Sequence, residues 1–291
     1  MKNRHMTIAV IVLLVIVVII LTSLLTIMLK RNIHFGTKTI MKEKIVDETY
    51  TESFETISIT ADAADVEIKN SNDEKIHLII YGDEERTTVS SSSSKLEIET
   101  KAKRCFGICF DIKITKVELY IPEFYENDLK IKNKYGDIKI EDLPSTNAEV
   151  TADCGNINID KIAKARIENN YGNISIDSID EAKIVAKCGD IDIENLKNGD
   201  ITNNLGDIKI SEIIGKVDIQ EDCGNVEISS MTLEKDSSIE NSLGDITIGD
   251  TNEIYIDART SLGDVKIDNN FHQSDITLKI KNSAGNIKVR N

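Results

Sequence analysis

The chain has 291 residues, with 35 Lys or Arg against 50 Asp or Glu, a formal charge of −15. Residues 1–44 carry seven basic side chains against Glu43 alone, a balance of +6, so residues 45–291 hold 28 basic against 49 acidic groups, a balance of −21. That surplus repels a polyanion and excludes a basic nucleic-acid groove, while a hydrophobic share of 40% excludes a disordered acidic chain.

The first element is Thr7 to Leu29, 23 residues without a charge, flanked by Lys2 and Arg4 before and Lys30 and Arg31 after. As a helix it spans roughly 34 Å, enough for a hydrocarbon layer of about 30 Å with some tilt. A cleaved secretory signal has a shorter apolar region and a small-residue cleavage site. The segment therefore reads as an uncleaved transmembrane anchor. Basic residues crowd the flank that follows, at Lys30, Arg31, Lys38, Lys42 and Lys44. Counted alone they favour a cytoplasmic body, but long domains are translocated largely regardless of charge, so the flank leaves the side open.

Residues 47–134 contain five strand-like runs: 54–59, 65–68, 76–80, 95–99 and 117–122. The segment from Gly82 through Ser94 and the Cys105–Cys109 tip read as hairpin connections. The tip's two cysteines are either a surface disulfide or two small packing residues. This stretch is expected to form the N-terminal β cap and first turns, since an uncapped stack of strands invites edge pairing. At the other end, the charged run Lys288 to Asn291 reads as an edge defence.

From residue 135 a short pattern recurs nine times, at Gly136, Gly155, Gly172, Gly189, Gly206, Gly224, Gly244, Gly263 and Gly285, with spacings of 17 to 22 residues. Counting from each glycine, positions +2 and +4 are always Ile or Val. Position +7 is apolar until Thr251 and Asn270, and position −5 is apolar throughout. Alternation of β-branched residues broken by Gly with Asp or Asn means short strands joined by tight bends. Repetition at this period is a solenoid signature. The expected fold is an all-β, single-stranded β-solenoid of Gly-Asp/Asn-Ile repeats, preceded by one N-terminal transmembrane helix. The expected organisation is 1–30 cytoplasmic tip and anchor, 31–46 basic juxtamembrane linker, 47–134 cap and first turns, and 135–291 solenoid.

A second period lies inside the first. Position −3 is Asn133, Asn169, Asn203, Asn241 and Asn282 in alternate units, and Ala152, Ala186, Glu221 and Thr260 between them. This predicts two units per turn, with the Asn amides stacked into a ladder about 4.8 Å apart and Cys154, Cys188 and Cys223 in a parallel inward column. One unit per turn is the alternative.

Chemistry is sparse. The four histidines, His5, His34, His77 and His272, are dispersed, and no nucleophile elbow, phosphate loop or paired-cysteine metal motif occurs. Asp137, Asp190, Asp207, Asp245 and Asp264 follow glycines and read either as turn residues or as a weak cation ridge, interrupted by Asn156, Asn173, Asn225 and Asn286. A lyase or hydrolase would need a cluster in a lateral groove, and only scattered acids are seen. No catalytic residue, cofactor or metal ligand is assigned.

The order Ile57-Ser58-Ile59, Asp65-Val66-Glu67-Ile68, Leu96-Glu97-Ile98, Val117-Glu118-Leu119-Tyr120-Ile121-Pro122 and then serial Gly-Asp-Ile units resembles the DUF4097 family. These are adhesin-labelled β-strand repeat proteins, including LiaG-like and YvlB-like envelope proteins. The resemblance covers about residues 50–291. It implies a β-solenoid, often membrane-tethered, in the bacterial envelope, with no catalytic residues to carry over. The expectation is a non-enzymatic, single-pass protein of the bacterial cytoplasmic membrane with an extracytoplasmic, adhesin-like body. Its expected partners are the membrane itself and an unidentified protein or envelope component, not nucleic acid. The alternative is a cytoplasm-facing accessory of an envelope-stress system.

Overall fold

The computed structural model describes residues 37–102 and 111–290. Residues 40–102 and 114–290 belong to one compact unit, and 37–39 and 111–113 group with a second unit that lies mainly outside the described residues. The apolar segment 7–29 and the Cys105–Cys109 tip also fall outside them. Among the described residues no helix is long and apolar enough to cross a membrane, and strands dominate.

From Asp128 onward the chain winds as a β-solenoid of about nine turns. Ile138 pairs with Ile157, which pairs with Ile174, then Ile191, then Ile208, all in parallel register. One glycine unit therefore makes one turn, which corrects the doubled period. The Asn and Ala of position −3 share a single column, as Asn133, Ala152, Asn169, Ala186 and Asn203 in successive layers. From Asn133 to Asn203 the Asn amide bonds into two layers at once with a small Ala between successive amides, and the alternation lapses beyond, where Glu221 follows Asn203 and Asn241 lies beside Asn282.

Each turn contributes three paired runs, for example Ile174–Ile176, Ser178 with Ile179, and Glu181 to Ala186. Inward side chains at −5, +2, +4 and +7 stack on their equivalents one layer away, so the core is a set of Ile columns exposed by 0–2% through most turns. Parallel strands with one face buried need such continuous aliphatic ladders, and no turn could bury its apolar face alone. The 4% aromatic content is a consequence, because a stacked Ile fills a narrow layer that a ring would span.

The ends of the stack are not in chain order. Thr56–Ala61 lies between Lys95–Thr100 and Asp128–Tyr135, and Ala64–Asn70 lies between Asp111–Ile121 and Ile138–Ile140. Beyond this layer the strands turn antiparallel: Ile76–Tyr81 joins Asp111–Ile121 to Lys44–Tyr50, and Thr87–Ser91 pairs with Lys95–Thr100. The serine run expected as a plain connection thus supplies a strand, Thr87–Ser91, and a tight turn in which Ser92 N–H donates to the Lys95 carbonyl.

At the far end, Thr277–Ala284 is inserted between Ser237–Leu243 and Tyr255–Leu262. Ile287–Val289 likewise separates Ile246–Thr251 from Val265–Ile267. The terminal layer is therefore 255–267, and the charged run at 288–290 is interior to the stack, correcting the expected edge. The two positions where the apolar +7 pattern fails explain the detour. Asn252, next to Thr251, bonds both the N–H and the carbonyl of Leu233. Asn270 does the same to Ile256, at 2.8 and 2.9 Å. Each amide imitates a strand neighbour where the chain leaves its layer.

Candidate interaction face along the glycine corner

Every turn bends at its glycine. Gly172 has φ +133°, and a Cβ there would lie 2.2 Å from the carbonyl oxygen of Gly155 in the layer below. Glycine is required both by the backbone conformation and by the closeness of the layers. The residue after it forms a continuous ladder. Asn156 N–H donates to Asp137 Oδ1 at 2.9 Å, Asn173 to Asn156 at 3.0 Å, Asp190 to Asn173 at 3.0 Å and Asp207 to Asp190 at 2.9 Å. The series continues through Asn225, Asp245 and Asn286 to Asp264. Only one carbonyl-type oxygen is used, so Asp and Asn serve equally, and a neighbouring Asn relieves repulsion, as where Asn225 Nδ2 donates to Asp207 Oδ1 at 3.1 Å. Turn chemistry accounts for the acid ridge. Among the described residues no group of three or more His, Cys, Asp or Glu is placed to hold a metal ion.

Inside the corner lies the Asn column. The amides do not bond one another. Asn169 Nδ2 donates to the carbonyls of Gly155 and Gly172 at 3.2 and 2.9 Å, and Asn203 does the same to Gly189 and Gly206 at 3.2 Å each. The carbonyls at a glycine bend point along no strand ladder, and the amide satisfies them. Glu221 occupies this column between Asn203 and Asn241, 2% exposed. Burial pushes its carboxyl up to about 7, against the pull of the Cys223 N–H and the Asn203 amide and with added repulsion from Asp222 and Asp207. Its Oε1 accepts the Cys223 N–H at 3.1 Å, while Oε2 has no hydrogen-bond partner. Sequence reasoning passed over Glu221, although the break in the Asn/Ala column at this one acidic residue was a visible signal.

Outside the corner, position −1 forms a third column, and here the expected inward cysteines are corrected. Cys154 and Cys188 are only partly buried and Cys223 is exposed. Strand alternation ends at position −3, and the bend toward glycine turns −1 outward. Large and small side chains alternate in this column. Tyr135, Tyr171, Leu205, Leu243 and Leu262 are exposed by 53–72%, and Cys154, Cys188, Cys223 and Ala284 sit between them.

Elsewhere several titratable groups are engaged in structure. His77 contacts Asp73 at 2.9 Å and Thr49 at 3.0 Å. Hydrogen bonds from His77, Ser71 and the Lys75 N–H hold Asp73 at about 2. His272 rests against the Tyr255 ring, and His5 and His34 lie outside the described residues. Glu67, Lys69, Lys116 and Glu118 close a four-membered ion-pair network with contacts of 2.7–3.1 Å. Burial opposes ionisation of Glu67 and Glu118, but the hydrogen bonds from the two lysines outweigh it and hold both below their usual range. Two open depressions, of about 290 and 250 Å³, are lined by mixed side chains including Glu52, Glu74 and Phe124 in one and Asp180, Lys197 and Ile214 in the other.

A stack of identical bends that presents the same three columns on every layer defines a β-solenoid scaffold with a repeating lateral face. The chain belongs to the Toastrack DUF4097 family, whose model matches residues 54–291. No curated protein matches the chain. Solved structures similar to it include a "putative adhesin" from Bacteroides fragilis NCTC 9343, with 15% identity, 87% of this chain and 100% of that chain covered, and a TM-score of 0.40. Another is a "putative lipid binding protein" from Parabacteroides distasonis ATCC 8503, with 14% identity, 87% and 99% coverage and a TM-score of 0.40. A third, a "putative adhesin" from Parabacteroides merdae ATCC 43184, has 12% identity, 87% and 99% coverage and a TM-score of 0.37.

Proposed function

We propose that the chain is a non-enzymatic, single-pass membrane protein of the bacterial envelope whose solenoid, on the extracytoplasmic side, acts in adhesin-like binding. The observation that carries this reading is the lateral face. The same corner chemistry recurs on each turn, which suits an extended or multivalent partner better than one small substrate. The uncharged run from Thr7 to Leu29 supports the anchor. Labelling intact cells with a membrane-impermeant maleimide tests the side, using a version whose own five cysteines are Ser and whose single thiol is introduced by Lys209→Cys, at an exposed position off the glycine corner. Labelling is expected, and it should be absent from the version without that thiol. Complete protection in intact cells, with labelling after lysis, would overturn the extracytoplasmic body. That result would favour the second reading, a cytoplasm-facing accessory, which the basic flank at residues 30–44 supports.

A further inference from the structure

The outer column of the corner has a property that one chain does not need. In spatial order its large members, Tyr135, Tyr171, Leu205, Leu243 and Leu262, stand in every second layer. The layers between hold Cys154, Cys188, Cys223 and Ala284, and register with Asn133 and Ile138 places the small Ala63 in the layer preceding Tyr135, 6% exposed where the column passes under the cap and Thr115 N–H donates to its carbonyl. Ten layers therefore alternate small and large from Ala63 to Leu262. The alternation runs through the out-of-order insertion of 277–289, so it follows position in space rather than in the chain. At about 4.8 Å per layer the comb is roughly 43 Å long, with apolar teeth roughly 10 Å apart.

We propose that two copies of this chain pair side by side and antiparallel along the glycine corner, each comb seated in the gaps of the other. Ten is an even number of layers, so a two-fold axis between the Cys188 and Leu205 layers sets every large side chain against a small one. Tyr135 then faces Ala284, Tyr171 faces Cys223, Leu205 faces Cys188, Leu243 faces Cys154 and Leu262 faces Ala63. Parallel pairing on a two-fold axis would instead oppose like with like.

The flanking column at position −2 obeys the same operator without opposing like charges. Lys134 faces Ser283, Asp153 faces Ser242, Asn170 faces Asp222 and Lys187 faces Asn204. On the other flank two acid pairs, Asp65 with Asp264 and Asp190 with Asp207, oppose pairing, and salt screens them. The remaining pairs on that flank each contain Asn. Five half-exposed teeth offer on the order of 100 Å² each, so the combs alone bring the two-copy contact to about 1,000 Å², at the lower end for a specific interface. Antiparallel pairing also puts the N-terminal caps at opposite ends. Chains anchored as proposed above would thus be joined from facing membranes. This last step rests on that reading of the anchor, whereas the pairing does not.

Single-thiol versions of the full-length chain, with the other cysteines replaced by Ser, test the geometry. Related by the two-fold, Cys188 lies one layer from its equivalent, Cys223 three and Cys154 five, or roughly 5, 14 and 24 Å along the axis. A bismaleimide shorter than three layers should couple the Cys188 version into dimers, the Cys223 version weakly and the Cys154 version not at all. Equal coupling at all three sites would mean parallel pairing and overturn the proposal. So would absence of coupling together with a monomer by sedimentation in mild detergent, the result expected if a different partner covers the comb. Leu205→Lys and Leu205→Glu, each on an exposed tooth beside the axis, should weaken self-association at least ~10-fold with an unchanged unfolding midpoint. Mixing the two variants should restore dimers, and failure of the mixture to pair while each variant remains folded would also overturn it.

Discussion

Glu221 is an acid in a column of amides, and its replacement by Gln tests the electrostatics of the corner. In the native chain burial holds its proton up to about pH 7, against an ordinary value of 4.5. The unfolded chain releases that proton near 4.5. Between these values the native state binds more protons than the unfolded state, so stability falls as pH rises and levels off above 7. At about 1.4 kcal/mol per unit, the loss is roughly 3 kcal/mol by pH 8. Gln keeps an oxygen for the Cys223 N–H and removes the titration, although its amide leaves one group poorly matched where Oε2 now sits.

Glu221→Gln should therefore match the parent at pH 4.5 to 5 and exceed it by about 2–3 kcal/mol at pH 8, or about 5–10 °C in melting temperature for a body of this size. The measurement is denaturant or thermal unfolding at half-unit steps from pH 4.5 to 8.5, alongside Glu227→Gln, which removes the same charge from an exposed position. The groups common to all three proteins cancel in the differences. Parallel pH curves for the parent and Glu221→Gln would refute the buried, proton-holding carboxyl, and an equal gain in Glu227→Gln would assign the effect to net charge alone.

Gly172→Ala should destabilise by at least about 2 kcal/mol, since its Cβ would meet the Gly155 carbonyl at 2.2 Å and φ is +133°; a melting temperature within 2 °C of the parent would refute the corner geometry. Asp207→Ala, which removes the acceptor of the Asn225 N–H, should lose about 1 kcal/mol, whereas Asp207→Asn stays within about 0.5 kcal/mol. Equal losses from the two would show that charge, not the oxygen, matters. Asn169→Leu strands the carbonyls of Gly155 and Gly172 and should cost roughly 1–3 kcal/mol, against about 0.5 kcal/mol or less for the exposed Lys209→Gln. Equal unfolding midpoints for that pair would count against the role given to the amide.

The parts of the fold that were legible in the sequence are those set by local rules repeated in every turn. Ile at +2 and +4 and glycine at the bend each answer to one neighbour above and one below, so one unit suffices to read them. The exchange of the last two layers was not legible, because it depends on which layer the 277–289 segment reaches. Its trace is confined to Thr251, Asn270 and a 22-residue spacing. The doubled period misled for a different reason. A chemical period of two units was taken for a geometric one, yet Asn169 and Ala186 are adjacent in one column. An amide that bonds to two layers is served by a small neighbour from Asn133 to Asn203, so side-chain reach, not the path of the chain, sets that alternation, and it lapses where Glu221 follows Asn203 and where Asn241 lies beside Asn282. The same distinction bears on the outer column. Tyr171 and Cys188 reach into solvent, where no bond within the chain fixes their alternation. The inner alternation is explained inside one molecule. The outer one acquires a physical cause when a second surface with the same spacing is laid against it.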